Sequence, residues 1–262
     1  MKKLILLVIL FSFLLIVFYE KEKPSLSIEG CENITASRLK IVCYSLFSRN
    51  YTYCKLAQDF SNYCYDSVFP LVKVDESLCL SFPENYQKIS CLVALSVKTN
   101  NPNVCSLLKE EALSSACYAR LMNYVDYYED SSFCYNISHE STRFLCLAKK
   151  NKDIGYCYNI TQEIEERVGC LGILTRNVSY CKIETTGAIS KITLYFCVKD
   201  IALSFNDISI CNEINEDEGK WECKAALAKD DSVCNEASDP WKDFCKLEFI
   251  KTQLTKKYLW SS

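Results

Sequence analysis

Glycine and proline are scarce, with 6 Gly and 5 Pro in 262 residues. So few residues suited to left-handed or sharply turned backbone disfavour a fold of many short strands, and also a glycine-rich nucleotide-binding loop. Histidine is almost absent. The single one, His139, sits between Ser138 and Glu140 and cannot assemble a His-rich metal centre; it reads as a solvent-exposed loop residue. Neither sign of charge dominates. A formal net charge of −3 argues against nucleic acid as the principal partner. With 49% hydrophobic and 24% charged residues, the chain is neither disordered nor mainly membrane-embedded.

Long apolar runs are confined to the start. Lys2 and Lys3 precede a stretch from Leu4 to Tyr19 broken only by Ser12. As a helix it would span about 24 Å, short of a hydrocarbon core of roughly 30 Å. Residues 1–24 therefore read either as a signal anchor, a short membrane-bound helix, or as a signal peptide cut near Ser25 and Ser27. Lys2 and Lys3 on one side and Lys21 and Lys23 on the other leave orientation open.

What is plentiful is cysteine. Eighteen Cys point to a disulfide framework in an oxidising compartment, which places the bulk of the chain outside the cytoplasm. The cysteines alternate between two kinds. The A kind comprises Cys31, Cys54, Cys79, Cys105, Cys134, Cys157, Cys181, Cys211 and Cys234; the B kind comprises Cys43, Cys64, Cys91, Cys117, Cys146, Cys170, Cys197, Cys223 and Cys245. Successive A cysteines lie 23 to 30 residues apart, a spacing in the range of helical repeat arrays.

The flanks of each kind repeat as well. Four residues before A stands Asp or Asn in eight of nine units: Asn50, Asp75, Asn101, Asp130, Asp153, Asn177, Asp207 and Asp230. Such side chains accept hydrogen bonds from free N–H groups and start helices. Three residues after A the side chain is usually apolar and shares the cysteine's face. Four residues after B comes an apolar side chain in eight units, and three before B a cation recurs at Lys40, Lys88, Arg143, Arg167, Lys220 and Lys242. Each unit reads as a short helix, a loop and a longer antiparallel helix. The two cysteines of a unit stand at similar heights from the hairpin bend. Joining B to the next A would mismatch heights by about one helical pitch of ~5.4 Å, whereas a disulfide needs Cα atoms roughly 4.4–6.8 Å apart. The geometry favours A–B pairs within each unit, from Cys31–Cys43 through Cys234–Cys245.

Other cysteine chemistry fits poorly. Zinc and iron–sulfur sites want pairs such as C-x2-C, haem attachment wants C-x-x-C-H, and no two cysteines here are closer than ten residues. No cysteine stands outside the repeat as a nucleophile. Five N-x-S/T sequons, at Asn33, Asn50, Asn136, Asn159 and Asn177, are candidate glycosylation sites, although capping alone also favours this spelling at Asn50 and Asn177. The acidic stretch Glu213 to Glu222 lacks a calcium-loop ladder and reads as a solvated loop. The recurring cation before B is read as pairing with neighbouring carboxylates rather than forming a basic line for an anionic polymer. Tyr53, Tyr156 and Tyr180 read as packing residues, while Tyr127 and Tyr128 read as an exposed contact.

The unit D/N-x-S/T-Φ-C-x-x-I, followed by a cation three residues before a second cysteine, is clearest at Asp130 to Cys146 and Asp207 to Cys223. It resembles helical-hairpin repeats of exported proteins, many of them archaeal and mostly uncharacterised. The resemblance covers nearly all of the chain after residue 24 and implies architecture without an activity. The first unit lacks the cap, the second has a short A–B spacing and the seventh a long one.

The expected fold is all-α: a solenoid-like array of about nine short disulfide-stapled hairpins over residues 25–250, preceded by an N-terminal hydrophobic helix and followed by a basic tail or capping helix at 251–262. The expected function is a cell-surface or secreted interaction or structural module, held to the membrane through its N-terminal segment and meeting an extracellular protein or glycan. No cofactor, metal or catalytic residue is indicated. The rival is an extracellular glycan-active hydrolase using paired carboxylates, none of which the sequence singles out.

Overall fold

The computed structural model describes residues 27–128, 130–182 and 191–259. The hydrophobic stretch within residues 1–24 lies outside them. Among the described residues no helix is long and apolar enough to cross a membrane.

All regular structure among the described residues is helical. Nine longer helices carry the B cysteines: α1 (Ser37–Ser48), α2 (Ser61–Val68), α3 (Asn85–Thr99), α4 (Glu111–Leu121), α5 (Glu140–Asn151), α6 (Ile164–Thr175), α7 (Lys191–Phe205), α8 (Asp217–Leu227) and α9 (Trp241–Leu259). The A cysteines sit on short arms of one to three turns, six of them wound as 3-10 helix and three as α-helix. The tighter winding suits segments too short to nucleate a stable α-helix alone.

The capping grammar acts as its chemistry requires. Asn50, Asn101, Asp130, Asp153, Asn177, Asp207 and Asp230 each accept the backbone N–H two residues on, and Asp75 accepts that of Leu78. Where the grammar is broken the cap is missing: Ile28 begins the first short arm without a side-chain bond. Directly before five of these caps stands a non-glycine residue at positive φ, namely Arg49, Asn100, Lys152, Arg176 and Asn206. One left-handed residue thus ends a return helix and the next starts the following arm. The scarcity of glycine is tolerated at about 1–2 kcal/mol of strain per site.

Nine disulfides staple the hairpins. They join Cys31–Cys43, Cys54–Cys64, Cys79–Cys91, Cys105–Cys117, Cys134–Cys146, Cys157–Cys170, Cys181–Cys197, Cys211–Cys223 and Cys234–Cys245, with Cα atoms 5.2–5.7 Å apart. Around them the core is built from small repeated contributions, plus one aromatic cluster. There Tyr51, Tyr65, Phe69 and Phe82 pack with ring centroids 5.2–6.1 Å apart.

The array closes on itself. Each return helix packs on the next, and α9 packs on α1 and on the turn Phe69–Leu71 that follows α2. An open solenoid would leave its first and last units apart. The join between units 9 and 1 matches one internal step of the array. In the step from unit 4 to unit 5, Ser138, four residues after its A cysteine, donates through N and Oγ to Ser115 Oγ at 2.9 and 2.8 Å, and Ser115 lies two residues before its B cysteine. At the closure, Thr35 holds the first position and Asp243 the second. Asp243 Oδ2 accepts Thr35 N, Thr35 Oγ1 and Ala36 N at 2.7, 2.6 and 2.9 Å. Farther along, Arg49 donates to the Tyr258 hydroxyl at 3.3 Å and lies 4.2 Å from its ring centroid. Residues 251–259 continue α9 without a break at 250, so they form part of the closing helix.

Asp243 is 9% exposed. Burial pushes its carboxyl up, but the bonds from Thr35 and Ala36 outweigh this and hold it below the usual carboxylate range. Because the folded value is depressed, the stabilisation is present above the unfolded pKa near ~3.9 and is lost as pH falls through the folded value. Thermal melts across pH 2–6 should therefore fall steeply below about pH 4. Asp243→Asn should flatten that fall and lower the neutral-pH stability by about 1.5–3 kcal/mol, the worth of hydrogen bonds to a charged group. An unchanged melting profile would show that the join carries no load.

Candidate functional site

The return helices bring polar side chains to the middle of the ring. A cavity of about 680 Å³ opens there, lined from units 2, 3, 4, 7, 8 and 9. Its apolar wall is Pro70, Val93, Ala94, Val97, Tyr124 and Phe196; its polar wall includes Tyr63, Asp66, Ser90, Arg120, Glu222 and Lys251.

Three carboxylates in and beside this cavity share one arrangement. Each accepts a tyrosine hydroxyl and pairs with a cation that lies over the same tyrosine ring. Asp66 accepts Tyr86 OH and, at 3.0 Å, Arg120 Nη1, which also donates to Ser90 Oγ at 2.9 Å; the guanidinium is 4.2 Å from the Tyr86 centroid. Glu222 accepts Tyr195 OH and Lys199 Nζ, and Lys199 lies 5.4 Å from the Tyr195 centroid. Glu248 accepts Tyr63 OH and, at 2.8 Å, Lys251 Nζ, which is 4.7 Å from the Tyr63 centroid. The first triad ties units 2, 3 and 4, the second units 7 and 8, and the third units 2 and 9. The triads therefore hold the ring and shape its cavity together.

Their electrostatics are those of a closed set of partners. Burial, then the Glu248 charge, pushes the Tyr63 hydroxyl well up; burial, then Glu222, does the same to Tyr195. Both remain donors. Burial acts to raise Glu248, but Lys251 and Lys199 outweigh it and hold it ionised. Burial acts to lower Lys251, and Glu248 more than reverses that. Charges left in a low-dielectric setting survive only with such partners.

Gly219, in the first turn of α8, makes room for the second triad. A Cβ there would fall 2.8 Å from the Tyr195 ring atoms Cε2 and Cγ. Gly219→Ala should gain helix propensity of about 0.8–1 kcal/mol yet lose more by displacing a half-buried ring, for a net loss of about 1–2 kcal/mol in denaturant unfolding. A net gain would mean that the ring can move at no cost.

The sequence pattern marks none of Asp66, Tyr86, Arg120, Tyr195, Lys199 or Glu248, and it marks Glu222 only as the end of an acidic stretch. The tyrosines stand five, two and one residues before their B cysteines, so no repeat register marks them. Of the residues that were singled out, all eighteen cysteines lie in disulfides, buried away from the cavity lining. Asn33, Asn136, Asn159 and Asn177 are exposed and Asn50 is half-buried. Among the recurring cations, Lys40 meets Glu32 at 3.5 Å and Arg143 meets Glu140 at 3.8 Å.

Three readings are corrected. Tyr128 is buried, not an exposed contact: its ring packs on Phe133, its hydroxyl lies 2.8 Å from Ser96 Oγ, and burial pushes it up to about 12. Tyr53, read as packing, is 44% exposed. The acidic stretch is a loop only in part, since Asp217 to Glu222 form the start of α8, where negative charge suits the helix N-terminus. His139 is half exposed as expected but has company. Its Nε2 is 2.9 Å from Glu163 Oε1, its Nδ1 is 2.8 Å from Thr142 Oγ1, and Glu166 stands beside them.

No family model, curated protein or solved structure matches this chain.

Proposed function

We propose that this chain is an extracytoplasmic interaction module, a stapled helical ring that holds a sugar-sized polar ligand, part of a cell-surface or secreted glycan, in its central cavity. The observation that carries this is the make-up of the cavity. It is about 680 Å³, within the usual range of small-ligand sites, and sets the aromatic rings of Tyr63, Tyr124 and Phe196 beside the fixed charges of Asp66, Arg120, Glu222 and Lys251. Flat aromatic faces and rigid ionic hydrogen-bonding groups together suit hydroxyl-rich rings. The disulfides support a location in an oxidising compartment, and the N-terminal hydrophobic segment would tether the ring to the membrane or direct its export.

The hydrolase reading has less support. A glycosidase needs one carboxyl kept protonated as an acid opposite a second as nucleophile or base. Asp66 and Glu222, the two acidic groups on the cavity wall, are each bound by a cation and a tyrosine hydroxyl. That arrangement favours binding over proton transfer. A protein partner has one specific observation behind it: Leu56, Leu80, Tyr135 and Tyr158 are 41–62% exposed, each one or two residues past an A cysteine.

A glycan array probed with the whole chain tests the proposal. At least one glycan should bind saturably, and Phe196→Ala, at a position 54% exposed and so dispensable for folding, should weaken it about tenfold. An array with no binder, or binding indifferent to Phe196, would overturn it; binding of proteins abolished by Tyr135→Ser would transfer the function to the outer arms.

A further inference from the structure

We propose that His139, Glu163 and Glu166 form a divalent transition-metal site of the zinc class, bracing unit 5 against unit 6. The three side chains come from two units and each presents one ligand atom, all within 4.8 Å of one another. His139 stands at the N-cap of α5, Glu163 at the N-cap of α6, and Glu166 in the first turn of α6.

The donor set selects the ion. One imidazole nitrogen and two carboxylate oxygens suit zinc and its neighbours, commonly held by three protein ligands with a fourth position open. Calcium wants six to eight oxygens, and magnesium keeps an octahedron of oxygens. Thr142 Oγ1, 2.8 Å from His139 Nδ1, can take the Nδ1–H and leave the Nε2 lone pair facing the carboxylates. Such a second hydrogen bond fixes the tautomer of metal-binding histidines.

A proton is the competing occupant, since imidazolium would satisfy Glu163 Oε1 through Nε2. It does not complete the site. Glu163 Oε2 and Glu166 Oε2 are both closed to solvent and have no hydrogen-bond partner. Unpaired buried carboxylate oxygens are costly, and a dication bound by both carboxylates would reduce that cost. The positive ends of two helices oppose a cation weakly. Two carboxylates and an imidazole outweigh that, because zinc in protein sites gains several-fold more. The 54% exposed edge of His139 leaves a path from solvent.

The position has structural sense. Cys157, Ile160, Cys170 and Leu171 of unit 6 form a small cluster with Ala148 of unit 5, separate from the main core, which carries units 1 to 4, most of unit 5 and units 8 and 9. A metal held by His139, Glu163 and Glu166 would join the same two units through polar groups beside this small apolar cluster.

Calorimetric titration of the whole oxidised chain with Zn²⁺ tests the site. One equivalent should bind saturably, persist in millimolar-scale calcium excess, and weaken at least about tenfold in both His139→Ala and Glu166→Gln. Circular dichroism of each variant separates a lost ligand from a lost fold, and the exposure of His139 makes its variant safe for folding. Absence of saturable zinc binding, displacement by calcium, or affinity unchanged in folded variants would each overturn the proposal.

Discussion

Glu248→Ala is expected to cost about 3 kcal/mol of unfolding free energy, the lower end of the range for breaking a buried ion pair. Glu248 is 2% exposed and bonds Lys251 and Tyr63. Its removal leaves the Lys251 ammonium without its anion and the Tyr63 hydroxyl proton without its acceptor. Lys251 keeps some water through the cavity, being 27% exposed, which is why the upper end of the range does not apply. Glu248→Gln should cost less, since an amide oxygen still accepts the Tyr63 hydroxyl. A similar arrangement exists on the exterior: Glu32 accepts Tyr44 OH and pairs with Lys40 at 3.5 Å, with the Glu32 side chain 66% exposed. Glu32→Ala should leave the denaturation midpoint nearly unchanged, because exposed pairs gain little over water. Equal effects at the two sites would show that burial in the ring is not what gives the inner triad its weight.

Removing one staple should be comparably damaging. Cys134→Ser with Cys146→Ser opens a loop of sequence separation 12, worth about 3 kcal/mol in the chain-entropy model. The damage should be local at first. Hydrogen exchange in the Ser132–Asn136 arm should rise most, and the α1–α9 join, on other units, least. Complete reduction removes nine staples from arms of one to three turns, which are marginal on their own. The combined loss exceeds the roughly 5–15 kcal/mol by which domains are stable, so full reduction should abolish the helical signal. Retention of most of that signal after reduction would mean that packing alone sustains the hairpins.

The contrast between these two sets of bonds explains what could be read from the chain. Capping residues and staples act over 2 to 16 residues, and each recurs in nearly every unit. Asp130, for example, shows its role by its distance from Cys134 alone. The closure does not work that way. Thr35 and Asp243 are 208 residues apart, and each is by itself an ordinary surface-type polar residue. Nothing nearby indicates that a ninth unit will meet a first. What could have shown it is register: the two occupy the same repeat positions as Ser138 and Ser115, a correspondence visible only once that internal step is known. The cavity was illegible for a further reason. Arg120, Lys199 and Lys251 stand three, two and six residues past their B cysteines, so each triad is a separate solution rather than a repeated one. The sequence neighbours of His139 are uninformative, because the carboxylates that matter to it lie in the next hairpin, 24 and 27 residues on.

Ring closure underlies both the cavity and the inner triads, and photo-cross-linking tests it most directly. With p-benzoylphenylalanine in place of Tyr258, whose ring lies 4.2 Å from the Arg49 guanidinium, irradiation of the monomeric oxidised chain should join α9 covalently to the peptide holding Arg49. Adducts confined to unit 8 or to other molecules would mean an open array, with no shared centre for the cavity to occupy.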